Sequence, residues 1–303
     1  MALSKLVWLD GKFISLEAAN VNIFSPSLQY GWSGFEGVRF YNTRHVPAVF
    51  RLPEHIDRFF YTAKALRIDL TYSAEELTGV ICQLISLNQM TEGYIRPCIL
   101  CPEAELGLRF KSKKVTCAIA LSSWDKKMRS EALRAKISPV VRIHPESSDV
   151  NAKINGHYVN SIRALYDAQD SGYDEAILLD HRGYVAEGSS ENIFIVKNGD
   201  LFTPPLGTIL PGITRDTIIT LAQDYSYKVC EKDLTPDDLF TGDEVFLCGT
   251  AMEILAAVSI DDKIIGNGKS GELTQSFTNL YARVVCGRMK SYHRWLTFVN
   301  EYK

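Results

Sequence analysis

The chain has 303 residues, 46% of them hydrophobic, and its 33 basic and 36 acidic residues leave a net charge of −3. That length is enough for two domains, and the near-balanced, scattered charge excludes a polybasic surface for nucleic acid or anionic membrane. Apolar runs such as CAIAL (Cys117 to Leu121) fall far short of the roughly 18 residues that span a bilayer; LVWL (Leu6 to Leu9) is too short for a secretory signal, and seven scattered cysteines fit free thiols in the cytoplasm.

In chain order, VWLDGKFI predicts a hairpin, because Asp10-Gly11 suits a turn whose two central residues need positive φ. GFEGVRFYN (Gly34 to Asn42) and PAVFR (Pro47 to Arg51) read as strands. A helix starting near Pro53 buries Ile56, Phe59, Phe60, Ala63 and Leu66, which recur at three and four. A second helix over Glu75 to Leu87 precedes the strands YIRPCIL and VTCAIAL, completing a smaller α+β domain over residues 1–121. The six-charge segment SSWDKKMRSEALR (Ser122 to Arg134) loses the strand pattern and reads as a linker, 122–134.

The larger domain, 135–303, opens with the strand AKISPVVRI (Ala135 to Ile143). The junction NAKINGHYVNS (Asn151 to Ser161) follows, carrying Lys153, and then a helix, SIRALYDAQDSGY. The strand EAILLD comes next, then NIFIV and DLFTP as a hairpin about Asn198-Gly199. A helix follows LPGITRD (Leu210 to Asp216), EVFLCG is a strand, and Glu272 to Ser291 reads as one long helix. The fold class is α/β (α+β).

Several motifs carry no chemistry. GNGKS (Gly266 to Ser270) lacks the glycine that a P-loop requires at 263, which is Lys263. Cys98 and Cys101 form C-x-x-C within an apolar strand, where residues three apart face opposite sides. GWSGF (Gly31 to Phe35) lacks the second glycine of a nucleophile elbow. The six histidines show no metal-ligand spacing.

What remains is dispersed. Pro211-Gly212 precedes a helix whose first turn holds Ile213 and Thr214, where free N–H groups and the positive dipole end favour an anion, although every helix has such an end. CGTAME turns through Gly249, leaving Thr250 to offer hydroxyl and amide. Arg51 closes PAVFR and can present a guanidinium fork to phosphate or form a surface ion pair. Glu187, before Gly188-Ser189-Ser190, is either a solvent-facing turn residue or a carboxylate buried beside a cation. A lysine, an anion cradle and a carboxylate together suit pyridoxal phosphate. Its lysine, with an ordinary pKa of about 10.4, needs burial or nearby positive charge to become nucleophilic. Spacing alone does not select which lysine.

YGWSGFEGVRFY, FRLPEHIDR, YIRP, NAKINGHY, EGSSENIF, LPGITRD and GTAMEI follow one another in an order that makes the chain resemble, almost end to end, the class IV (fold-type IV) aminotransferases. Within that class it resembles the branched-chain amino acid aminotransferases. The resemblance implies a two-domain enzyme whose larger domain has a β-barrel-like core flanked by helices, with pyridoxal 5'-phosphate as cofactor. Lys153 would anchor the cofactor covalently and carry a proton between the substrate Cα and the cofactor's C4′ carbon. Glu187 would pair with the pyridinium nitrogen and Tyr158 with the phenolic oxygen. Arg51, Ile213, Thr214 and Thr250 would grip the phosphate.

The same resemblance assigns the substrate α-carboxylate to Tyr94, Arg96 and the backbone of Thr250 and Ala251, and an aromatic pocket wall to Phe35. Tyr30 and Leu108 match residues that reach a neighbouring subunit's site, implying a homodimer at least. The implied reaction moves the amino group of L-leucine, L-isoleucine or L-valine to 2-oxoglutarate; D-amino acid aminotransferases and aminodeoxychorismate lyases share the fold and stand as alternatives. His157 and Trp32 depart from the family's usual small or amide-bearing residues.

Overall fold

A computed structural model describes residues 3–44, 46–109, 114–124 and 132–302. The chain divides into two units, residues 1–127 with 152–156 and 283–303, and residues 128–151 with 157–282.

The first unit runs β1 (Leu6–Leu9), β2 (Lys12–Ser15), α1 (Pro26–Tyr30), β3 (Gly34–Phe35), β4 (Val38–Asn42), β5 (Pro47–Phe50), α2 (Leu52–Ala65), α3 (Ala74–Leu87), β6 (Gly93–Leu100) and β7 (Thr116–Ser122). The second runs β8 (Leu133–Ile137), α4 (Tyr158–Asp170), β9 (Glu175–Leu179), β10 (Val185–Gly188), β11 (Asn192–Lys197), β12 (Asp200–Thr203), α5 (Ile213–Asp224), β13 (Val229–Glu231), α6 (Pro236–Phe240), β14 (Glu244–Gly249), β15 (Glu253–Ile260) and β16 (Lys263–Ile264). α7 (Glu272–Val285) follows, and β17 (Leu296–Phe298) returns to the first unit.

Among the described residues the first unit's sheet has the order β17-β5-β4-β6-β7-β1-β2, with β3 on β6, and is antiparallel throughout. Its apolar face supplies Val38, Phe40, Val49, Ile95 and Ile99, which pack with Ile56 and Phe59 of α2 and Leu77 and Ile81 of α3. The second sheet, β10-β9-β8-β15-β14-β11-β12-β13, is mixed: β8 pairs in parallel with both β9 and β15. Its core is built from Ile177, Ile193, Ile195, Val245, Leu247 and Ala257, and Ala164 and Ala168 let α4 lie close against β9. The mixed α and β architecture agrees with the fold class read from the sequence.

Both hairpins form where their turn residues sit: φ is 44° and 87° at Asp10 and Gly11, and 52° and 80° at Asn198 and Gly199. Other boundaries move for local reasons. GFEGVRFYN is interrupted at Glu36 and Gly37, and PAVFR stops at Phe50 because Arg51 turns left-handed, φ 53°. The strand expected over 135–143 is β8 and stops at Ile137, ahead of Pro139, which has no N–H to give a ladder. β8 begins at Leu133, so the expected linker shortens from its C-terminal side; residues 125–131 of it lie outside the described residues. The helix expected at Ser161 to Tyr173 is α4, which starts three residues earlier, at Tyr158. The long C-terminal helix ends at Val285 rather than Ser291, where Gly287 takes φ 69° and breaks it. The division into units is discontinuous, with 152–156 and the C-terminal stretch in the first unit, a feature that pattern reading cannot show.

α3 starts on a complete capping box: the Ser73 hydroxyl accepts from the Glu76 N–H and the Glu76 carboxylate accepts from the Ser73 N–H. Ser73→Ala is expected to lower the unfolding free energy by about 1 kcal/mol, read as a lower urea midpoint at unchanged slope.

Candidate active site

The segment Ala152–Gly156 belongs to the first unit. The Lys153 N–H donates to Thr62 Oγ1 at 2.9 Å, and its carbonyl accepts from the Phe35 N–H at 3.1 Å. Ile154 bridges Gly34 antiparallel, and the Asn155 N–H donates to the Ser33 carbonyl. The lysine therefore has strand-like partners on both sides without lying in a regular strand. Gly34 is required for this approach, since a Cβ there would lie 2.5 Å from Thr62 Cγ2. The GWSG stretch that fails as a nucleophile elbow is thus the surface on which Lys153 is seated.

Lys153 is half-buried, with Nζ 5.0 Å from the centre of the Phe35 ring. The Arg96 guanidinium is 4.5 Å from the same ring and 5.3 Å from that of Tyr94. Tyr94 stacks on Trp124 at 5.7 Å, and the buried Arg39 lies 4.7 Å from both the Trp124 and Tyr41 rings. The structure thus brings Lys153, Phe35, Tyr94 and Arg96 together and adds Arg39 and Trp124, which the sequence reading passed over.

A second unread cluster lies in the same unit. Glu36, fully buried, accepts from Arg58 at 2.6 and 3.0 Å and pairs with His55 Nδ1 at 2.8 Å. Burial alone would raise its carboxyl pKa, but the Arg58 charge and the His55 hydrogen bond outweigh burial and hold it well below the carboxylate range. Burial lowers the His55 pKa against the pull of Glu36, and the charges of Arg58 and Lys153 push the same way as burial. The three-residue spacing of His55 and Arg58 on α2, which puts them on one helix face, was the available signal. Arg51, by contrast, is fastened elsewhere. Its Nε is 2.5 Å from Glu54, its guanidinium lies 5.1 Å from the Trp295 ring, and its N–H donates to the Trp295 carbonyl. Tyr30 and Leu108 come together at the surface, where the Tyr30 hydroxyl accepts from the Gly107 N–H; Leu108 is 80% exposed.

In the second unit Glu187 is buried at the end of β10, with Oε1 in an ion pair with Arg142 Nε. Its other oxygen accepts from Asn192 Nδ2 at 3.2 Å and from the Leu210 N–H at 3.1 Å. Asn192 also donates to the Leu210 carbonyl at 3.0 Å, and a Cβ on Gly212 would collide with its amide oxygen. EGSSEN and LPGI are thereby joined, and Glu187 lies beside the start of α5. That start has Gly212 as N-cap and no side-chain cap, so no cap side chain occupies the first-turn amides at Ile213 and Thr214. The Ser190 carbonyl and Glu191 lie against Gly249, which brings the β14 turn carrying Thr250 and Ala251 to the same loop. Tyr158 is the first residue of α4. His157 has a structural task beside it, its Nε2 lying 2.5 Å from Ser148 Oγ.

Beneath the 188–190 turn lie two more buried carboxyls. Glu191 accepts from the Ser190 N–H and hydroxyl, and Glu175 accepts from the N–H groups of Ser189 and Ala176. Burial, and then the charge of Glu175, push the Glu191 pKa up to about 8; burial raises that of Glu175 too. The raised value keeps a proton on Glu191 at neutral pH. All seven cysteines are free, and burial pushes the Cys98 thiol up to about 11, which leaves C-x-x-C without a thiolate at neutral pH. Among the described residues no group of three His, Cys, Asp or Glu side chains is placed to hold a metal.

Residues 33–260 match the family described as amino-transferase class IV. The chain is 38% identical over 299 residues to a branched-chain-amino-acid aminotransferase of Pseudomonas aeruginosa, covering 97% of each chain. Among solved structures it is 40% identical to the branched-chain aminotransferase of Thermoproteus uzoniensis crystallised with norvaline, with TM-score 0.93 and coverage of 98% and 99%. The branched-chain amino acid aminotransferase of Thermobaculum terrenum, solved in its PLP-bound holo-form, is 29% identical, with TM-score 0.93 and coverage of 99% of each chain. The chain belongs to the class IV aminotransferases.

The proton on Glu191 has a measurable consequence. A carboxyl whose folded pKa is raised makes the native state bind more protons than the unfolded state between about 4.5 and about 8, so stability falls as pH rises through that window. Glu191→Gln has no such proton to lose. Its stability relative to the parent is expected to rise between pH 5 and pH 9 by at least about 1 kcal/mol, the equivalent of one pKa unit, in denaturant titrations at each pH.

Proposed function

We propose that the chain is a pyridoxal-phosphate-dependent branched-chain-amino-acid aminotransferase. It passes the amino group of L-leucine, L-isoleucine or L-valine to 2-oxoglutarate, giving the branched 2-oxo acid and L-glutamate. The observation that carries this reading is Glu187, a buried carboxylate paired with Arg142 and bonded to Leu210, three residues ahead of an uncapped helix start. A ring with a basic nitrogen and a phosphate needs such a pair of features. The residues fit that group, since Gly212 keeps the helix start open and the Lys153 amine lies 5.0 Å from the centre of the Phe35 ring that lines the same segment.

When bound, pyridoxal phosphate supplies a sink for the electrons of the substrate's Cα–H bond. Lys153 is the covalent anchor and the base at the substrate Cα, taking a proton there and returning one. Glu187 keeps a proton on the ring nitrogen, and the Tyr158 hydroxyl bonds the phenolic oxygen. Ile213 and Thr214 offer main-chain donors to the phosphate, and Thr250 adds a hydroxyl. Arg51 is proposed for the phosphate on the resemblance alone, since it would have to leave Glu54 and Trp295. Tyr94, Arg96 and the backbone of Thr250 and Ala251 receive the substrate carboxylate, and Phe35 forms an apolar wall. The free thiols support a reducing, cytoplasmic setting; no described helix is long and apolar enough to cross a membrane.

We propose a homodimer on the exposure of Ile23 (66%), Leu28 (63%), Leu106 (65%) and Leu108 (80%), an apolar set around Tyr30 that a second copy can cover. Leu28→Asp with Leu108→Asp is expected to shift sedimentation from dimer to monomer.

The activity is tested by absorption of the purified enzyme while L-leucine and then 2-oxoglutarate are added. The visible band of the bound cofactor should fall with leucine and return with the oxo acid. Silence towards leucine with a response to D-alanine would transfer the assignment to the D-amino acid enzymes. Lys153→Ala should reduce turnover by at least a thousandfold, on the order expected for loss of a covalent catalyst.

A further inference from the structure

The first unit contains a cavity of about 660 Å³, well within the roughly 300–1,000 Å³ of small-molecule pockets. None of the residues that line it is assigned above to cofactor or substrate. Its walls come from the turn after β4, with Asn42 and Arg44, and from the stretch after α7, with Arg288, Lys290 and His293, while Phe298 of β17 closes one side.

The lining is one-signed. Arg44, Arg288 and Lys290 contribute three positive charges, and among the described residues no lining side chain is a carboxylate. None of the three has an ion-pair partner among the described residues. Three cations drawn around one concavity repel one another, a cost that a bound anion reverses. Arginine adds a fork that matches the paired oxygens of phosphate or carboxylate.

The walls are also tied to one another by their own contacts. His293 Nε2 donates to the Gly287 carbonyl at 2.9 Å, and its ring stands edge-on to Phe298 at 5.9 Å. Gly287, at φ 69°, packs against Thr43, so the two turns that carry the cations are in contact at their base.

We propose that this cavity is a binding site for a small polyanion, an organic phosphate or a polycarboxylate, which bridges Arg44 on one wall to Arg288 and Lys290 on the other. The bridge ties the turn after β4 to the stretch after α7, so occupancy stabilises the fold by mass action.

The test uses cofactor-loaded enzyme, in which the cofactor's own phosphate site is filled. Calorimetric titrations with pyrophosphate and, separately, with citrate are run at constant ionic strength set by sodium chloride, alongside thermal unfolding. Saturable binding of one anion per chain is expected, with a melting temperature that rises with anion concentration; the tighter of the two ligands tells organic phosphate from polycarboxylate. Arg44→Ala with Arg288→Ala should weaken binding at least about tenfold, given hydrogen bonds to charged groups, and leave turnover of leucine unchanged. Lys290→Ala, which removes only an exposed side chain, provides a second variant with a smaller loss. The proposal is overturned if neither anion saturates, or if these variants bind as tightly as the parent, which places the anion elsewhere. Both outcomes are independent of whether leucine is the substrate.

Discussion

The main chain of Lys153 is fixed from both sides by bonds that do not involve its side chain. Its N–H is satisfied by the fully buried hydroxyl of Thr62 and its carbonyl by the Phe35 amide. A buried N–H left without a partner costs about 1–3 kcal/mol, so these two bonds resist any drift of the segment. The amine lies against the Phe35 ring, which the Arg96 guanidinium also approaches. Much of the first unit's sequence follows from this seating. Gly34 has no side chain because α2 must come within contact of the strand, and α2 in turn carries Thr62 on the face that also buries Ile56 and Phe59.

Local structure was legible wherever one residue type decides a backbone angle or a periodicity. Asp10-Gly11 and Asn198-Gly199 produced their turns, and the apolar spacing of α2 named Ile56, Phe59 and Ala63 as buried. The proposed site residues were singled out in a different way. Lys153, Glu187 and Thr214 came from the order of motifs, because the contacts around them come from neighbours distant in sequence. No spacing rule links Glu187 to Arg142, 45 residues away, or Arg39 to Trp124. His157 looked anomalous in the sequence because its partner, Ser148, precedes the junction and only folding brings it within reach. The end of α7 was misread for a simpler reason: the helical pattern continues past Val285, and the left-handed angle at Gly287 outweighs it.

The second unit meets a separate constraint, that of gathering carboxylates without accumulating charge. Glu175, Glu187 and Glu191 are all buried around one turn, and three uncompensated negative charges in a low-dielectric interior would cost many kcal/mol. The charge is divided in two ways. Glu187 is balanced by Arg142, while Glu191 keeps its proton beside Glu175, so at most one negative charge is left uncompensated and only Glu187 is committed to a cation.

The division also orders the loop. Glu175 and Glu191 accept from the amides of Ser189 and Ser190, and Glu187 accepts from that of Leu210. A carboxylate tied on both flanks in this way has little freedom to rotate. An interaction with a ring nitrogen is strong only if the carboxylate is already oriented when the ring arrives, because reorientation in the bound state would consume the electrostatic gain. Glu175 and Glu191 therefore act on Glu187 through the backbone that joins them.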